Sequence, residues 1–308
     1  MTDPIVIVSP CFNENTTVIK FLIELEQVLA GSDKNFVVVV VDDASIDNTL
    51  ALLRNHAFTI KNAVLKVITL KYNLGHQGAI YQGIAYARTL GAQNVIVMDA
   101  DGEDDPLAVL ELTKFQNQEV DIVNVVRGKR KEKLSFRVFY QIYKVIFYLI
   151  TNRSMNFGNY CMINRKIIDA TVEKSFIHFA AHLSKLKAKT AKISFDRRSR
   201  IDGKSKMNLD SLIHHAFKSF IEYAENLLMV FLKLFLLISL VIVVLTLYVV
   251  YQKMFTNNAI LGWASTISAT FINTALICLG FFVMGILLLN IMAKNSSQHR
   301  DNLYKEIN

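Results

Sequence analysis

The chain has 308 residues, of which 19% are charged and 52% hydrophobic, and its formal net charge is +8. The positive charge permits nucleic-acid binding, but the basic residues cluster at 127–133, 185–192 and 197–206, just before the chain becomes apolar. Because no nucleic-acid-binding motif accompanies these clusters, the sequence favours membrane lipids and phosphate as partners over nucleic acid.

Apolar, strand-like runs alternate with amphipathic stretches of helical length in the first part of the chain. The predicted strands are Ile5–Ser9, Phe36–Val41, Val64–Leu70, Asn94–Met98 and Asp121–Val125. The predicted helices are Thr16–Ala30, Asp47–Asn55, Gly75–Leu90 and Pro106–Gln116. Strands that are apolar on both faces and separated by helices predict an α/β fold with a mainly parallel sheet, which binds its ligands at the carboxyl ends of the strands.

The acidic segment DADGEDDP (99–106) follows the fourth predicted strand. Asp99, Asp101 and Glu103 alternate where the strand leaves the sheet, so their carboxylates can converge on a divalent cation. Hard oxygen ligands suit Mg²⁺ or Mn²⁺, with a diphosphate completing the shell. A solvated acidic loop is the simpler interpretation. A second acidic strand end at 42–43 and polar residues after the other predicted strands favour the ligand site.

Two long apolar runs follow. Between Leu227 and Val250 only Lys233 is charged, and the run from Ala259 to Ala293 carries no charge. A helix needs roughly 20 apolar residues to cross a bilayer, so both runs predict transmembrane helices. The basic flanks predict a two-pass protein with both ends of the chain in the cytoplasm. The predicted boundaries are 1–225 for the cytoplasmic domain, 226–293 for two transmembrane helices (about 227–250 and 260–292), and 294–308 for a cytoplasmic tail.

The segment 134–150 is rich in aromatic residues, and Arg137 and Lys144 are its only charges. Two interpretations are open. It is either an amphipathic helix in the membrane interface or an ordinary helix facing the core. The start of the chain has no basic region followed by an apolar one, so no cleaved signal peptide is expected.

Five segments carry a recognisable pattern: SPCFNEN (9–15), VVDDASIDNT (40–49), NLGHQGAIYQG (73–83), DADGEDDP (99–106) and RIDGKSKMNLDSL (200–212). Together they resemble the inverting family 2 glycosyltransferases of the GT-A fold, and more narrowly the polyprenyl-phosphate glycosyltransferases, which include dolichol-phosphate mannose synthase. The resemblance covers essentially the whole chain. It implies metal-dependent transfer of a sugar from a UDP- or GDP-linked nucleotide-sugar to undecaprenyl or dolichyl phosphate at the cytoplasmic membrane face. It also implies the bacterial inner membrane as the location, and it allows a homo-oligomer.

The resemblance assigns roles to individual residues. The nucleotide would lie against Pro10, Phe12, Glu14, Val41 and Asp43. Asp99 would contact the nucleotide-sugar, while Asp101 and Glu103 would hold a metal that neutralises the leaving diphosphate. The catalytic phosphate-binding residues would be Arg127 and Arg200, with Ser205 and Lys206 beside them.

Single motifs also have simpler interpretations. Glu14 and Asp43 are compatible with helix-capping acids. Asn73 and His76 are compatible with caps of the helix that begins near residue 75, and we favour this interpretation for His76. The basic run 197–200 is compatible with a charged face at the membrane surface.

Some positions depart from the family pattern. Glu103 stands where the family usually has Gln, and Asn159 and Cys161 stand where it commonly has Asp and Arg. A carboxamide cannot take a proton, so position 159 cannot activate a sugar hydroxyl. A phosphate monoester, whose second pKa is about 6, needs no such activation. The departure therefore favours a lipid phosphate. The alternatives are transfer to another membrane lipid, or an inactive homologue that serves as a membrane scaffold.

Overall fold

The structure is a computed structural model that describes residues 3–127, 134–152, 158–174, 176–196, 198, 200–201, 220–255, 262–296 and 303–307. The chain forms two compact units. The first contains residues 1–144, 154–222 and 301–308, and the second contains residues 145–153 and 223–300.

The secondary structure alternates as the sequence predicts in its first part. The strands are β1 (Ile5–Cys11), β2 (Phe36–Asp42), β3 (Ala63–Leu70), β4 (Asn94–Val97), β5 (Ile122–Arg127), β6 (Cys161–Asn164), β7 (Thr190–Phe195) and β8 (Tyr304–Glu306). The helices are α1 (Val18–Ala30), α2 (Thr49–Arg54), α3 (Gly75–Thr89), α4 (Leu107–Thr113), α5 (Leu134–Thr151), α6 (Arg165–Lys174), α7 (Phe179–Lys185), α8 (Ala224–Phe255) and α9 (Trp263–Ser296).

The strands of the first unit form one sheet, in the order β7-β5-β6-β4-β1-β2-β3-β8. β1 is parallel to β2 and β4, and β2 is parallel to β3. β6 is antiparallel to both of its neighbours, β4 and β5. The central strands are runs of β-branched residues, such as FVVVVVD in β2, which suit a strand buried on both faces. The predicted mainly parallel α/β fold is confirmed.

Helices cover both faces of the sheet. Phe21 of α1 belongs to one buried cluster, and Ile80 of α3 belongs to the other. α3 lies very close to the sheet, because a Cβ atom at Gly83 would stand 2.4 Å from Val8 Cγ1 and 2.8 Å from Val41 Cγ2. Glycine at this position therefore lets the middle of α3 pack directly against β1 and β2.

The strand β8 comes from a segment that was predicted as a tail. Its residues pair antiparallel with the outer edge of β3. Lys66 on β3 forms an ion pair of 2.6 Å with Glu306, and the Tyr304 ring packs edge-on against Tyr86 with centroids 5.2 Å apart. The chain thus returns to the sheet after both long apolar helices.

The second unit is built on α8 and α9, which are long and apolar enough to cross a membrane by length and composition. They pack closely, because a Cβ atom at Gly285 would stand 2.0 Å from a methyl group of Leu228. Small residues allow apolar helices this kind of approach. The carboxyl-terminal turns of α5 expose large apolar side chains at Val145, Ile146, Tyr148 and Leu149.

Candidate active site

The loops that follow β1 and β2 are tied to each other. The amide of Asn13 donates to Ser45 Oγ at 2.9 Å, and the amide of Ile46 donates to Asn13 Oδ1 at 3.0 Å. Asn13 and Ala44 both have left-handed backbones, with φ values of 53° and 57°. Non-glycine residues hold this conformation where the surrounding structure over-determines it, often at ligand sites. The two loops therefore form a rigid cradle at the carboxyl edge of the sheet.

The predicted nucleotide-binding residues line this cradle. Pro10 and Val41 are buried and face each other in the β1–β2 register. The ring of Phe12 is 40% exposed, so a flat apolar surface remains open to a ligand. Glu14 stands at the start of α1, where its carboxylate accepts the hydroxyl of Thr17. This contact is to a side-chain hydroxyl and not to a backbone amide of α1, whose cap residue is Thr17, so Glu14 does not cap the helix in the way the simpler interpretation predicts.

Asp43 connects the cradle to α3. Its Oδ1 accepts the amide of Leu74 at 2.7 Å. Burial raises the pKa of the Asp43 carboxyl above its ordinary value, against the opposing hydrogen bonds from the Leu74 and Gly75 amides. Asn73 adds a second link, since its Nδ2 donates to the Asp43 carbonyl at 3.2 Å and its Oδ1 accepts the Gly75 amide at 3.0 Å. Asn73 thus does bind the start of α3, as its capping interpretation predicts.

The acidic loop after β4 is a tight turn built from its own carboxylates. Asp104, which is buried, accepts the amide of Asp99 at 3.0 Å, and Asp101 Oδ1 accepts the amide of Glu103 at 3.0 Å. Gly102 lies between them with a φ of 79°, a left-handed conformation that glycine adopts at no steric cost. These bonds fix the directions of the remaining carboxylate oxygens.

Arg200 spans the two carboxylates that were predicted to hold a metal. Its Nη2 lies 3.1 Å from Asp101 Oδ2, and its Nε lies 3.1 Å from Glu103 Oε1. All three side chains are largely enclosed, with exposed fractions of 18%, 15% and 14% for Arg200, Asp101 and Glu103. The residue after Arg200 is also joined to the acidic loop, because the amide of Ile201 donates to the Asp101 carbonyl at 3.4 Å. The site therefore places a positive charge between these carboxylates.

The donor set suits a divalent cation in part. Among the residues that the structure describes, no three His, Cys, Asp or Glu side chains converge as a complete metal site. Asp101 and Glu103 supply two hard oxygen ligands. The guanidinium of Arg200 already lies against both carboxylates. Mg²⁺ and Mn²⁺ commonly take one or two carboxylates and complete their shell with phosphate oxygens and water. The two residues fit such a cation in the presence of a diphosphate.

His76 lies beside the acidic loop, and its predicted role as a helix cap is wrong. The residue in the cap position of α3 is Leu74. The imidazole Nε2 of His76 lies 2.9 Å from Asn159 Nδ2 and 3.5 Å from Asp99 Oδ1. That oxygen of Asp99 is buried and accepts no hydrogen bond from any residue the structure describes. His76 therefore joins the acidic loop to the turn that carries Asn159.

The antiparallel strand β6 explains how Asn159 reaches this position. Cys161 pairs with Val97 at the end of β4, so the turn before β6 lies beside the acidic loop. Tyr160 is buried, and its hydroxyl donates to the Asp105 carbonyl at 2.9 Å. Cys161 is buried inside the sheet, where burial raises the pKa of its thiol. Asn159 is thus part of the site, whereas Cys161 belongs to the core.

The structure brings most of the predicted site residues together. Asp99, Asp101, Glu103 and Arg200 meet at the end of β4, and the nucleotide-binding set lies at the ends of β1 and β2. Arg127 is the last residue of β5, but its side chain, together with Ser205 and Lys206, lies outside the described residues. Two contributors were not predicted. These are His76 and Asp104. The signal available for His76 was its position after the third strand, and the signal for Asp104 was its place within the acidic motif.

Comparison with known proteins identifies the family. Residues 6–182 match the model of glycosyl transferase family 2. The chain belongs to this family. It is a glycosyltransferase, and the family resemblance of its motifs is confirmed.

Relatives of this glycosyltransferase include an uncharacterized glycosyltransferase and a protein named as an undecaprenyl-phosphate transferase. The uncharacterized glycosyltransferase YkcC of Bacillus subtilis is 24% identical over 286 residues, covering 91% of this chain and 86% of the relative. An undecaprenyl-phosphate 4-deoxy-4-formamido-L-arabinose transferase of Pseudomonas syringae is 28% identical over 219 residues, covering 68% of this chain and 63% of the relative.

Solved structures share the fold of this glycosyltransferase. Mannosyl-3-phosphoglycerate synthase from Rubrobacter xylanophilus superposes with a TM-score of 0.57 at 17% identity, covering 73% of this chain and 74% of that one. Glucosyl-3-phosphoglycerate synthase from Mycobacterium tuberculosis, crystallised with Mg²⁺ and UDP, superposes with a TM-score of 0.52 at 14% identity, covering 73% and 79%. The GT-A fold predicted from the motifs is thereby confirmed.

Proposed function

We propose that this glycosyltransferase transfers a sugar from a nucleotide-diphospho-sugar to a polyprenyl phosphate, with inversion at the anomeric carbon. The observation that carries the acceptor assignment is the neutral amide of Asn159, which lies 2.9 Å from His76 beside Asp99. An acceptor that is already ionised needs no carboxylate at this position. Relatives named as undecaprenyl-phosphate transferases support the same acceptor class.

The donor nucleoside lies in the cradle formed by the loops after β1 and β2. The exposed ring of Phe12 offers a stacking surface for the base, and base–aromatic stacking is worth about 1–3 kcal/mol. Asp43 lies at the base of the cradle, and its contacts with Leu74 and Gly75 hold it in place. UDP and GDP are both compatible with this arrangement.

The diphosphate lies at the acidic loop, where Asp101 and Glu103 would hold Mg²⁺ or Mn²⁺. Such a cation supplies neutralisation of the charge that develops on the leaving diphosphate. Arg200 contacts the same two carboxylates, so its guanidinium has to leave them when they bind a metal. Once released, it can donate two parallel hydrogen bonds to phosphate oxygens. Arg200 therefore changes partners between the free and the loaded site.

The two long apolar helices are proposed to anchor the chain in the membrane. We infer that α8 and α9 both cross the bilayer, and that the catalytic domain lies on the cytoplasmic side with the basic flanks. The pairing of β8 with β3 supports this, because a chain that returns to the same sheet crosses the membrane an even number of times. The exposed apolar side chains of α5 support its placement in the interface.

The proposal is tested with the full chain, purified into nanodiscs and assayed with a panel of radiolabelled UDP- and GDP-sugars. The acceptors are undecaprenyl phosphate, dolichyl phosphate and diacylglycerol, each with Mg²⁺, Mn²⁺ or EDTA. We expect lipid-linked product only with a polyprenyl phosphate and a divalent cation, and no product from Asp101→Asn. Transfer to diacylglycerol in preference to the lipid phosphates would overturn the acceptor assignment.

Topology is tested separately with reporters fused after Asn308 and inserted at Asn257. We expect the first to be cytoplasmic and the second external. Exposure of both on the same side would show that at least one of the two helices does not cross.

A further inference from the structure

We propose that Lys233 binds the phosphate group of a lipid in the cytoplasmic leaflet. Lys233 is the only charged residue between Leu227 and Val250, in the apolar part of α8. The inference rests on the proposed function, since it takes from it the two membrane crossings and their orientation. It adds a lipid-phosphate site on the membrane segment, outside the residues assigned to the reaction.

Lys233 faces away from the neighbouring helix α9. Phe231 of α8 packs against Phe281 of α9, with ring centroids 5.8 Å apart. Lys233 follows Phe231 by two residues, which turns its side chain by about 200° around the helix axis from that contact. The lysine is exposed, as are Val230 and Leu237 on the same face of α8. Its ammonium therefore emerges from an apolar surface that is proposed to face lipid.

The chain offers no counter-ion for this ammonium at its own depth. Among the described residues, no carboxylate pairs with Lys233. The only acidic residue in the sequence of the second unit is Glu225, which lies eight residues earlier, about 12 Å along the helix axis. An unpaired charge among lipid tails is costly, so such residues pair with an anion or reach the membrane interface. The anion therefore comes from outside this chain.

The direction of α8 brings the ammonium toward the level of lipid phosphates. Long side chains of an α-helix tilt toward its amino end and lie over the preceding turn. In the proposed topology, the amino end of α8 is its cytoplasmic end. Lys233 lies about 9 Å along the axis from Leu227, where the apolar run begins. Its four-carbon stem can stay among the lipid tails while the charged head extends to the headgroups.

A lipid phosphate suits this position better than a carboxylate from another protein chain. Lysine binds phosphate as a compact point charge. A second, parallel copy of this chain would bring only its own Glu225, at a level about 12 Å away along the helix. Two kinds of lipid supply the phosphate: a polyprenyl phosphate, as a monoester, and an anionic phospholipid, as a diester.

The experiment measures lipid binding to the full chain by native mass spectrometry from detergent micelles. The added lipids are undecaprenyl phosphate, phosphatidylglycerol and diacylglycerol, which has no phosphate. Lys233→Met removes the charge and keeps an unbranched side chain, so it should weaken binding of at least one phosphate-bearing lipid roughly five- to tenfold. Lys233→Arg keeps the charge and should stay within about twofold of the unmodified chain. Leu237→Met, on the same face, is the matched control and should change nothing.

The lipids distinguish the two sources of phosphate. Weaker binding of undecaprenyl phosphate alone would assign the site to the acceptor lipid. Weaker binding of phosphatidylglycerol, alone or together with undecaprenyl phosphate, would assign it to headgroup phosphates of the leaflet. Unchanged binding of both lipids by Lys233→Met would overturn the inference, as would an equal loss of diacylglycerol binding.

The inference and the proposed function fail in different ways. If the reporters at Asn257 and Asn308 show that α8 does not cross the membrane, the proposed topology and the Lys233 site are both overturned. If the unmodified enzyme forms no polyprenyl-linked product, while Lys233→Met still weakens the binding of phosphatidylglycerol, the Lys233 site is supported and the acceptor assignment is wrong.

Discussion

The guanidinium of Arg200 and the carboxylate of Asp101 form an ion pair of 3.1 Å, and neither side chain is more than 18% exposed. The same guanidinium reaches Glu103, so one cationic side chain neutralises both carboxylates that are proposed to bind a metal. A divalent cation and Arg200 therefore compete for the same oxygens. This competition makes metal binding measurable without any turnover.

Arg200→Ala should bind Mn²⁺ at least roughly tenfold more tightly in the absence of nucleotide, because the internal competitor is gone. Binding is measured by the loss of the free Mn²⁺ signal in electron paramagnetic resonance. Arg198→Ala is the matched control, since Arg198 pairs with Glu24 at 2.9 Å. Equal Mn²⁺ affinity in Arg200→Ala and the unmodified protein would show that the ion pair does not cover the metal site.

Gly102→Ala should lower both activity and thermal stability. The φ of 79° costs a non-glycine residue roughly 1–2 kcal/mol, and the new Cβ would stand 2.5 Å from Ile201 Cγ1. The clash would displace the segment that carries Arg200. A double variant, Gly102→Ala with Ile201→Ala, removes the clash and keeps the backbone strain. If it recovers no activity over the single variant, contact with Ile201 is not the reason that glycine is needed.

Phe12→Ala should raise the KM for the nucleotide-sugar, because a stacked aromatic ring contributes about 1–3 kcal/mol to base binding. Phe12→Tyr should stay near the unmodified value, since the ring is retained. Ile23→Ala is the control, because Ile23 lies on α1 outside the cradle and is exposed to a similar extent. An unchanged nucleotide-sugar KM in Phe12→Ala would remove Phe12 from the nucleoside site.

Glu222→Gln should lower the free energy of unfolding at neutral pH by roughly 1–3 kcal/mol. This loss is measured as a lower melting temperature. Burial opposes ionisation of Glu222, whose side chain is 8% exposed. Hydrogen bonds from His182 and from the amides of Ile177 and His178 nevertheless hold its pKa below the ordinary value of 4.5.

A depressed carboxyl pKa contributes stability above the unfolded value and loses it as the pH falls. The difference in melting temperature between the two proteins should therefore be largest near neutral pH and shrink below about pH 4.5. Glu225→Gln, at an exposed position in the first turn of α8, is the control. A difference that grows on acidification would contradict the assigned direction.

The sequence predicted those parts of the fold that are encoded by local pattern. The runs that became β1 to β5 are continuous and rich in β-branched residues, so their burial shows in composition alone. β6 is a four-residue strand whose antiparallel place between β4 and β5 depends on partners far away in the chain. β8 reads YKE, without an apolar alternation that marks it as a strand, and its partner β3 lies far earlier in the chain.

The site shows the same division. The acidic loop and the cradle follow from residues that stand at strand ends, and they were predicted. The pairing of Arg200 with Asp101 and the contact of His76 with Asn159 join residues that are distant in the chain. For His76, a local capping rule gave the wrong role, because its partner Asn159 arrives on an antiparallel strand that was not predicted.

The late position of β8 has a consequence for biogenesis. The edge of β3 stays open until the ribosome has synthesised both α8 and α9, because its partner strand follows them. An unpaired strand edge is a template for association with other chains. With the two membrane crossings proposed above, the domain therefore keeps one edge exposed while α8 and α9 insert, and a chain whose second apolar helix stalls keeps that edge exposed. Under that proposal, completion of the sheet depends on the correct insertion of α8 and α9, which precede β8 in the chain.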